Sequence, residues 1–227
     1  MKTIAYVDGF NLYYQLLKRH PEARWLNVEA LIRMYLDPVS DLIEIRYYTA
    51  KIDAKINPTA PVDQQSYLNA LRSTPIVKPT FGKFLTTRAW MRLVHPPEIR
   101  PRDADSVMTP PYPAMVRVFK NEEKGSDVNL GVHLVQDAYL DRFEQAIIVT
   151  NDTDLLEPMR IVTQDIGKPL GLFTPANKPS EKLKSQASFV RHMTPADARK
   201  CQFPDRVEFG RKGKVTVRPN DWCIRKD

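Results

Sequence analysis

Residues 146–150, Ala-Ile-Ile-Val-Thr, are apolar until the last position and run directly into a pair of acids, Asp152 and Asp154. A run this short and uniformly apolar predicts a strand buried on both faces. That is the pattern of a central parallel strand, which requires crossover helices to cover the sheet. Residues 4–7 repeat the arrangement, a short apolar run ending at Asp8-Gly9. Helical stripes follow at the expected spacing. Leu12, Tyr13, Leu16 and Leu17 form one, closed by Pro21, and Asn27 can cap a second that ends before Pro38. Pro61 opens a third helix, through Tyr67, Leu68 and Leu71. Strands are predicted at 42–50, 114–119 and 169–173. Further helices are predicted at 127–139, with Val128, Val132, Val135 and Tyr139 inward, and at 154–166, closed by Gly167. The alternation predicts an α/β fold, a central parallel sheet with helices on both faces.

Two stretches depart from that rhythm. Residues 74–85 look extended but are broken by prolines, and six of the 19 prolines crowd into 96–113. Residues 84–113 therefore read as a proline-rich insertion without a regular element. Beyond residue 194 the pattern becomes a short helix and a hairpin over 207–217, with Gly210 and Gly213 at the turn. The predicted organisation is a body over 1–194 and a small basic C-terminal extension over 195–227.

Several classes are set aside early. No apolar run approaches the ~20 residues of a membrane-spanning helix, and the amino terminus becomes charged too soon for a signal peptide. Cys201 and Cys223 lack metal-binding companions, so neither a zinc site nor a disulfide framework is expected, and a cytoplasmic location is the expectation. A GxxxxGK[ST] phosphate loop is missing as well.

The chemistry lies in the acids. Asp8, Asp152 and Asp154 follow apolar strands, and Asp127 opens a helix after Lys124-Gly125-Ser126. In open α/β sheets such strand ends converge on one crevice. Each acid taken singly has an ordinary reading as a helix cap. Together they repel one another unless a cation neutralises them, and oxygen ligands without His or Cys select Mg²⁺ or Mn²⁺. Such a cation can activate water for phosphodiester hydrolysis. His133, on the helix after Asp127, is read as a surface or satisfied residue.

Three stretches, Val7-Asp8-Gly9-Phe10-Asn11, Glu123-Lys124-Gly125-Ser126-Asp127-Val128 and Val149-Thr150-Asn151-Asp152-Thr153-Asp154-Leu155, resemble the signature segments of the NYN family of PIN-like ribonuclease domains. Their order and spacing match over about residues 3–193. The tail, with Phe203-Pro204 and Arg218-Pro219-Asn220-Asp221-Trp222, is similar as well. The resemblance implies a Rossmann-like PIN fold and metal-dependent RNA cleavage leaving a 5′-phosphate. It makes Asp8, Asp127 and Asp152 the metal-binding acids, with Asp154 assisting and Asn11 a polar neighbour of the metal or phosphate. Lys124 would contact substrate phosphate. Leu155 stands where the family often has Phe, and the proline-rich insertion is not a family feature.

The charge is uneven. Against 34 Lys plus Arg stand 27 Asp plus Glu, a net of +7. Residues 78–120 carry eight basic and three acidic residues, and 199–227 carry nine and four, so the rest of the chain is net acidic. Arg88 and Arg92 flank Trp90 in the first stretch, and Arg211, Lys212 and Lys214 lie near Phe209 in the second, the mixture expected of a single-stranded RNA groove. The expectation is a Mg²⁺- or Mn²⁺-dependent ribonuclease whose partner is RNA. A non-catalytic RNA-binding or protein-interaction module is the alternative, and a flap-type DNA nuclease, which would need more acids, is a third reading. Self-association is left open.

Overall fold

The computed structural model describes residues 1–52, 59–95, 110–210 and 213–223. Its chain order is β1 (Lys2–Asp8), α1 (Gly9–Leu12, continued by a π-helical turn over Tyr13–Leu17), α2 (Val28–Tyr35), β2 (Asp41–Ala50), α3 (Ala60–Leu71), β3 (Val77–Arg92) and β4 (Met115–Lys124). Then come α4 (Ser126–Tyr139), β5 (Gln145–Val149), α5 (Leu156–Arg160), β6 (Leu170–Thr174), α6 (Glu181–Gln186), β7 (Phe189–His192), α7 (Pro195–Lys200) and the hairpin β8 (Arg206–Phe209) and β9 (Lys214–Val217).

Seven strands form one sheet in the order β4-β3-β2-β1-β5-β6-β7, parallel throughout except for the β3–β4 pair. This is the α/β fold expected from the apolar runs. The chain winds outward from β1 to β4, then returns to lay β5 against the other side of β1. The winding direction therefore reverses between β1 and β5, and a crevice opens beyond their carboxyl ends. Period-two alternation splits β1 between two cores. Ala5 and Val7 join Leu12, Leu31 and Leu68 on one face, while Ile4 and Tyr6 join Leu130, Leu134 and Met159 on the other. Every residue of β5 is buried, as its composition required.

Three expectations need correction. The start of the proline-rich insertion is not irregular. β3 runs without interruption to Arg92, and Lys83–Arg92 pair antiparallel with Met115–Lys124 as a long ribbon. Within the ribbon the residues are β-formers such as Thr86, Thr87 and Trp90, and the dense prolines begin only beyond it. Residues 96–109 of the insertion lie outside the described residues. The interruption expected at Pro79 is also missing. Pro79 pairs with β2 where β3 has no strand on its other side, an edge that tolerates a residue without an N–H.

On α4, Val128, Val132 and Tyr139 point outward (68%, 58% and 81% exposed), and Leu130, Leu134 and Ala138 face the core. The helix carries two apolar stripes, and its inward one is interrupted by a charged residue, Asp137, so periodicity favoured the wrong face. Asp137 is fully buried because Arg46, Arg142 and Tyr6 reach it.

The C-terminal segment packs on the body. Trp25 stacks edge-on against Phe203 and Trp222 (6.2 and 6.3 Å between centroids), and its Nε1 donates to the Pro204 carbonyl at 2.8 Å. Gly210 and Gly213 at the hairpin turn both have positive φ, where glycine is favoured. No helix among the described residues is long and apolar enough to cross a membrane.

Candidate functional site: an acidic cup at the sheet crossover

The crevice between β1 and β5 is built by short-range signals. Asp8 ends β1 and caps α1, accepting the Asn11 N–H at 2.9 Å. Its second oxygen accepts the Thr150 hydroxyl at 3.1 Å, and the Thr150 oxygen accepts the Asp152 N–H at 3.0 Å. Thr150 thereby ties the end of β1 to the turn after β5. Asn11 adds another tie, its side-chain oxygen accepting the Asn151 N–H at 2.9 Å. That oxygen is engaged with the loop, which makes Asn11 a brace of the cup. Gly9 is required by close approach, since a Cβ there would lie 2.6 Å from the Tyr48 carbonyl oxygen and 2.8 Å from the Tyr47 ring.

From the other side, Gly125 turns the chain into α4 with φ of 95°, and Asp127 sits in the first turn of that helix. Glu123 accepts the Ser126 N–H at 3.0 Å. Oxygens of Asp8, Asp127 and Asp152 come within 4.8 Å of one another, forming the one such cluster of three among the described residues. Asp154 lies on the rim, its N–H donating to Asp152 at 3.0 Å, and its charge acts on Asp127. Four predicted acids thus meet at one sheet edge.

The electrostatics are strained. Burial raises the Asp8 carboxyl to about 7; the Asn11 and Thr150 hydrogen bonds pull it down, while Asp127 and Asp152 push it up. Asp127 is also raised, by burial and then by Glu123, Asp152 and Asp154. Among the described residues no Lys or Arg is within ion-pair distance of Asp8, Asp127 or Asp152. Three converging carboxylates without a cationic partner suit a hard divalent ion, and oxygen donors alone fit Mg²⁺ or Mn²⁺.

The basic residues are not gathered here. Lys124 stands next to the cup but lies 3.5 Å from Glu122, and Arg88 covers the Phe119 ring at 5.4 Å. Arg92 is exposed at the far end of β3, nine residues and therefore ~30 Å along the ribbon from Lys83. Lys214 is exposed at the start of β9, and Arg211 and Lys212 lie outside the described residues. His133 accepts or shares a hydrogen bond with the Tyr48 hydroxyl at 3.0 Å, the satisfied residue expected.

Sequence reasoning missed Thr150, Asn151 and Glu123 as parts of the site. All three stand inside the quoted motifs, yet Thr150 and Asn151 are neutral and Glu123 follows another acid on a strand, so none gives a separate signal. It also missed a cavity of about 420 Å³ beside the cup, lined from Gly9 and Phe10 across to Trp222.

Fold and site together define a doubly wound α/β protein with a carboxylate cup at its crossover point. No family model matches the sequence. Over 248 aligned positions the chain is 27% identical to the 6-hydroxy-3-succinoylpyridine 3-monooxygenase HspA of Pseudomonas putida, a match covering 98% of this chain and 75% of that protein. Among solved structures, a Vibrio parahaemolyticus protein of unknown function is similar with a TM-score of 0.47 and 14% identity, covering 85% of this chain and 92% of that one.

The near-full-length likeness to a monooxygenase corrects the functional expectation. The metal-dependent ribonuclease, its nuclease and RNA-binding character, and the alternative of a non-catalytic RNA-binding or protein-interaction module are not upheld, since the relative matched over nearly the whole chain is named a monooxygenase. The physical reason is that a carboxylate cup selects an ion and not a reaction. Hard cations in such cups serve several chemistries, and a fold does not choose between them.

Proposed function

We propose that this chain is an oxidoreductase of the monooxygenase kind, carried on a PIN-like, NYN-type version of the Rossmann-like sheet. The observation that carries the reading is the similarity to a monooxygenase across 98% of the chain. The NYN-type scaffold is supported by the convergence of its three motif segments on one cup.

Asp8, Asp127 and Asp152 would hold a single Mg²⁺ or Mn²⁺, with Asn11 and Thr150 fixing the loop that bears Asp152. Bound there, the cation would supply charge neutralisation and Lewis-acid polarisation of a substrate oxygen. The protein's own contribution is orientation and exclusion of water. Asp8 is buried, and the Phe10 and Phe84 rings, 5.5 Å apart, stand between the cup's first turn and the β3–β4 ribbon.

Monooxygenation places one oxygen atom of O₂ in the substrate and reduces the other to water, drawing two electrons and two protons from a reductant. A flavin is a common mediator of such electrons, but the crossover crevice does not suit a flavin dinucleotide. Where a dinucleotide-binding turn carries GxGxxG for its pyrophosphate, this chain has Gly9-Phe10-Asn11-Leu12-Tyr13-Tyr14, with side chains where the second and third glycines would let a pyrophosphate approach.

The test is oxygen uptake with 6-hydroxy-3-succinoylpyridine as trial substrate and NADH or NADPH as reductant, with Mn²⁺, Mg²⁺ or chelator, each with and without added flavin. Substrate-dependent uptake and a product containing one atom of ¹⁸O from ¹⁸O₂ are expected, with activity lost in Asp8→Asn and Asp152→Asn. Uptake no greater than the substrate-free background under every combination would overturn the reading.

A further inference from the structure

The cavity beside the cup is unusual in its walls. Phe10, Tyr13 and Tyr14 line it from α1 and the turn that follows, Tyr47 from β2, Phe84 from the ribbon and Trp222 from the C-terminal segment. With Tyr67 from α3, five separate parts of the chain each present a ring to one space of about 420 Å³, within the size range of small-molecule sites. The space adjoins the cup: Gly9, which follows Asp8, lines it, and the Asp8 charge is felt by Tyr47, whose hydroxyl it raises together with burial.

Two charged side chains line the same space. Arg24 holds its guanidinium in place by donating to the carbonyls of Leu17 (3.3 Å) and Lys18, and lies over the Tyr13 ring at 5.7 Å. Among the described residues no carboxylate stands within ion-pair distance of it, so an oriented cation faces the cavity with only the longer-range field of Asp63 acting on it. The other is Asp63, on α3, whose carboxyl is raised by burial and then by Asp221, with Arg24 pulling it partly back down. Further negative charge is disfavoured at the Asp63 end, so an anion belongs at Arg24.

We propose that this cavity binds a planar aromatic or heteroaromatic ring bearing a carboxylate, the ring packed among Phe10, Tyr14, Tyr47 and Trp222 and the carboxylate held by Arg24. The rings supply edge-to-face and stacking contacts for a flat ligand, and the guanidinium fork matches a carboxylate geometrically. A ring seated here would present one edge toward the cup. The proposal names the substrate class of the oxidoreductase reading and rests on it for the identity of the trial ligand, though binding is measurable without turnover.

The test is calorimetric titration of the full chain with 6-hydroxy-3-succinoylpyridine and with its carboxamide, in which the tail is neutral. The acid should bind at least tenfold more tightly than the amide. That preference should collapse in Arg24→Met and be partly kept in Arg24→Lys. Tyr14→Ala, at a half-exposed ring that folding does not need, should weaken both ligands severalfold and leave their ratio unchanged. Equal affinity for acid and amide in the unaltered protein, an unchanged ratio in Arg24→Met, or binding of neither compound would overturn the proposal. If Arg24→Met fails to fold, the acid-to-amide ratio of the unaltered protein and the Tyr14→Ala result still decide it. A probe that binds through Arg24 but is never oxidised sinks the oxidoreductase reading alone. Turnover with a KM indifferent to Arg24 sinks the cavity assignment alone.

Discussion

Asp8 and Asp137 are both buried carboxylates, and the sheet treats them in opposite ways. Asp137, fully enclosed on α4, receives Arg46 Nη2 at 2.9 Å, Arg142 Nη1 at 2.8 Å and the Tyr6 hydroxyl at 2.6 Å. Two cations and a phenol compensate its charge within the protein. Asp8, almost as enclosed, receives only neutral donors from Asn11 and Thr150, and its nearest ionisable neighbours are further acids. A buried charge is tolerable only when paired. The first carboxylate therefore completes a structural network, whereas the second has no cationic partner among the described residues, which is the basis for the proposed cation. That difference separates scaffold from site more clearly than burial does.

The largest effect should come from breaking the compensated network. Asp137→Ala leaves the partly buried Arg46 with Glu44 alone and the buried Tyr6 hydroxyl without its acceptor, and should cost ~3–5 kcal/mol, read as a shift in the urea midpoint. Asp137 and Asp8 would be functionally alike if that loss were under 1 kcal/mol. Next is Asp8→Asn, which keeps an acceptor for the Asn11 N–H while removing an uncompensated charge. The cation-free protein should gain on the order of 2–4 kcal/mol at pH 8, since each pKa step is worth ~1.4 kcal/mol, and Mn²⁺ should cease to raise its melting temperature. A destabilised variant that still responds to Mn²⁺ would place the ion elsewhere.

The smallest effect, and the sharpest, is in pH. The folded-state pKa of Asp8, about 7, lies above its ordinary value of 3.8, so between those limits the folded protein holds a proton that the unfolded chain has released. Its contribution therefore weakens as pH rises from about 4 to 7. The stability of the cation-free protein relative to Asp8→Asn should fall across that window. Saturating Mn²⁺ should reverse the slope, because the ion competes with the proton. A flat difference in both conditions would remove the distinction between the two carboxylates.

Much of the site was legible because its signals are local. An apolar strand stopping at an acid announces a strand end, so Asp8, Asp127, Asp152 and Asp154 could be named from the sequence, and the helix cap at Asn27 likewise forms as expected, accepting the Ala30 N–H at 3.1 Å. The α4 face was misjudged because Asp137 breaks the inward stripe, and only the distant Arg46 and Arg142 make its burial acceptable. The ribbon was missed because proline density beyond Arg92 masked the β-formers before it. The Arg24 cavity left no trace in the pattern, since its walls come from α1, β2, α3, the ribbon and the C-terminal segment.

The sequence by itself determined the parallel α/β architecture and the acids that end its strands, because strand burial and capping are read over a few neighbouring residues. The chemistry of oxygen donors is likewise legible there, and it is what the proposed hard cation rests on. Only the tertiary structure decided that three of the acids share one cup, that Asn11 braces a loop, and that an arginine and seven aromatic rings line a cavity beside it. Such arrangements depend on contacts between residues up to about two hundred positions apart, brought together by the reversal of winding between β1 and β5.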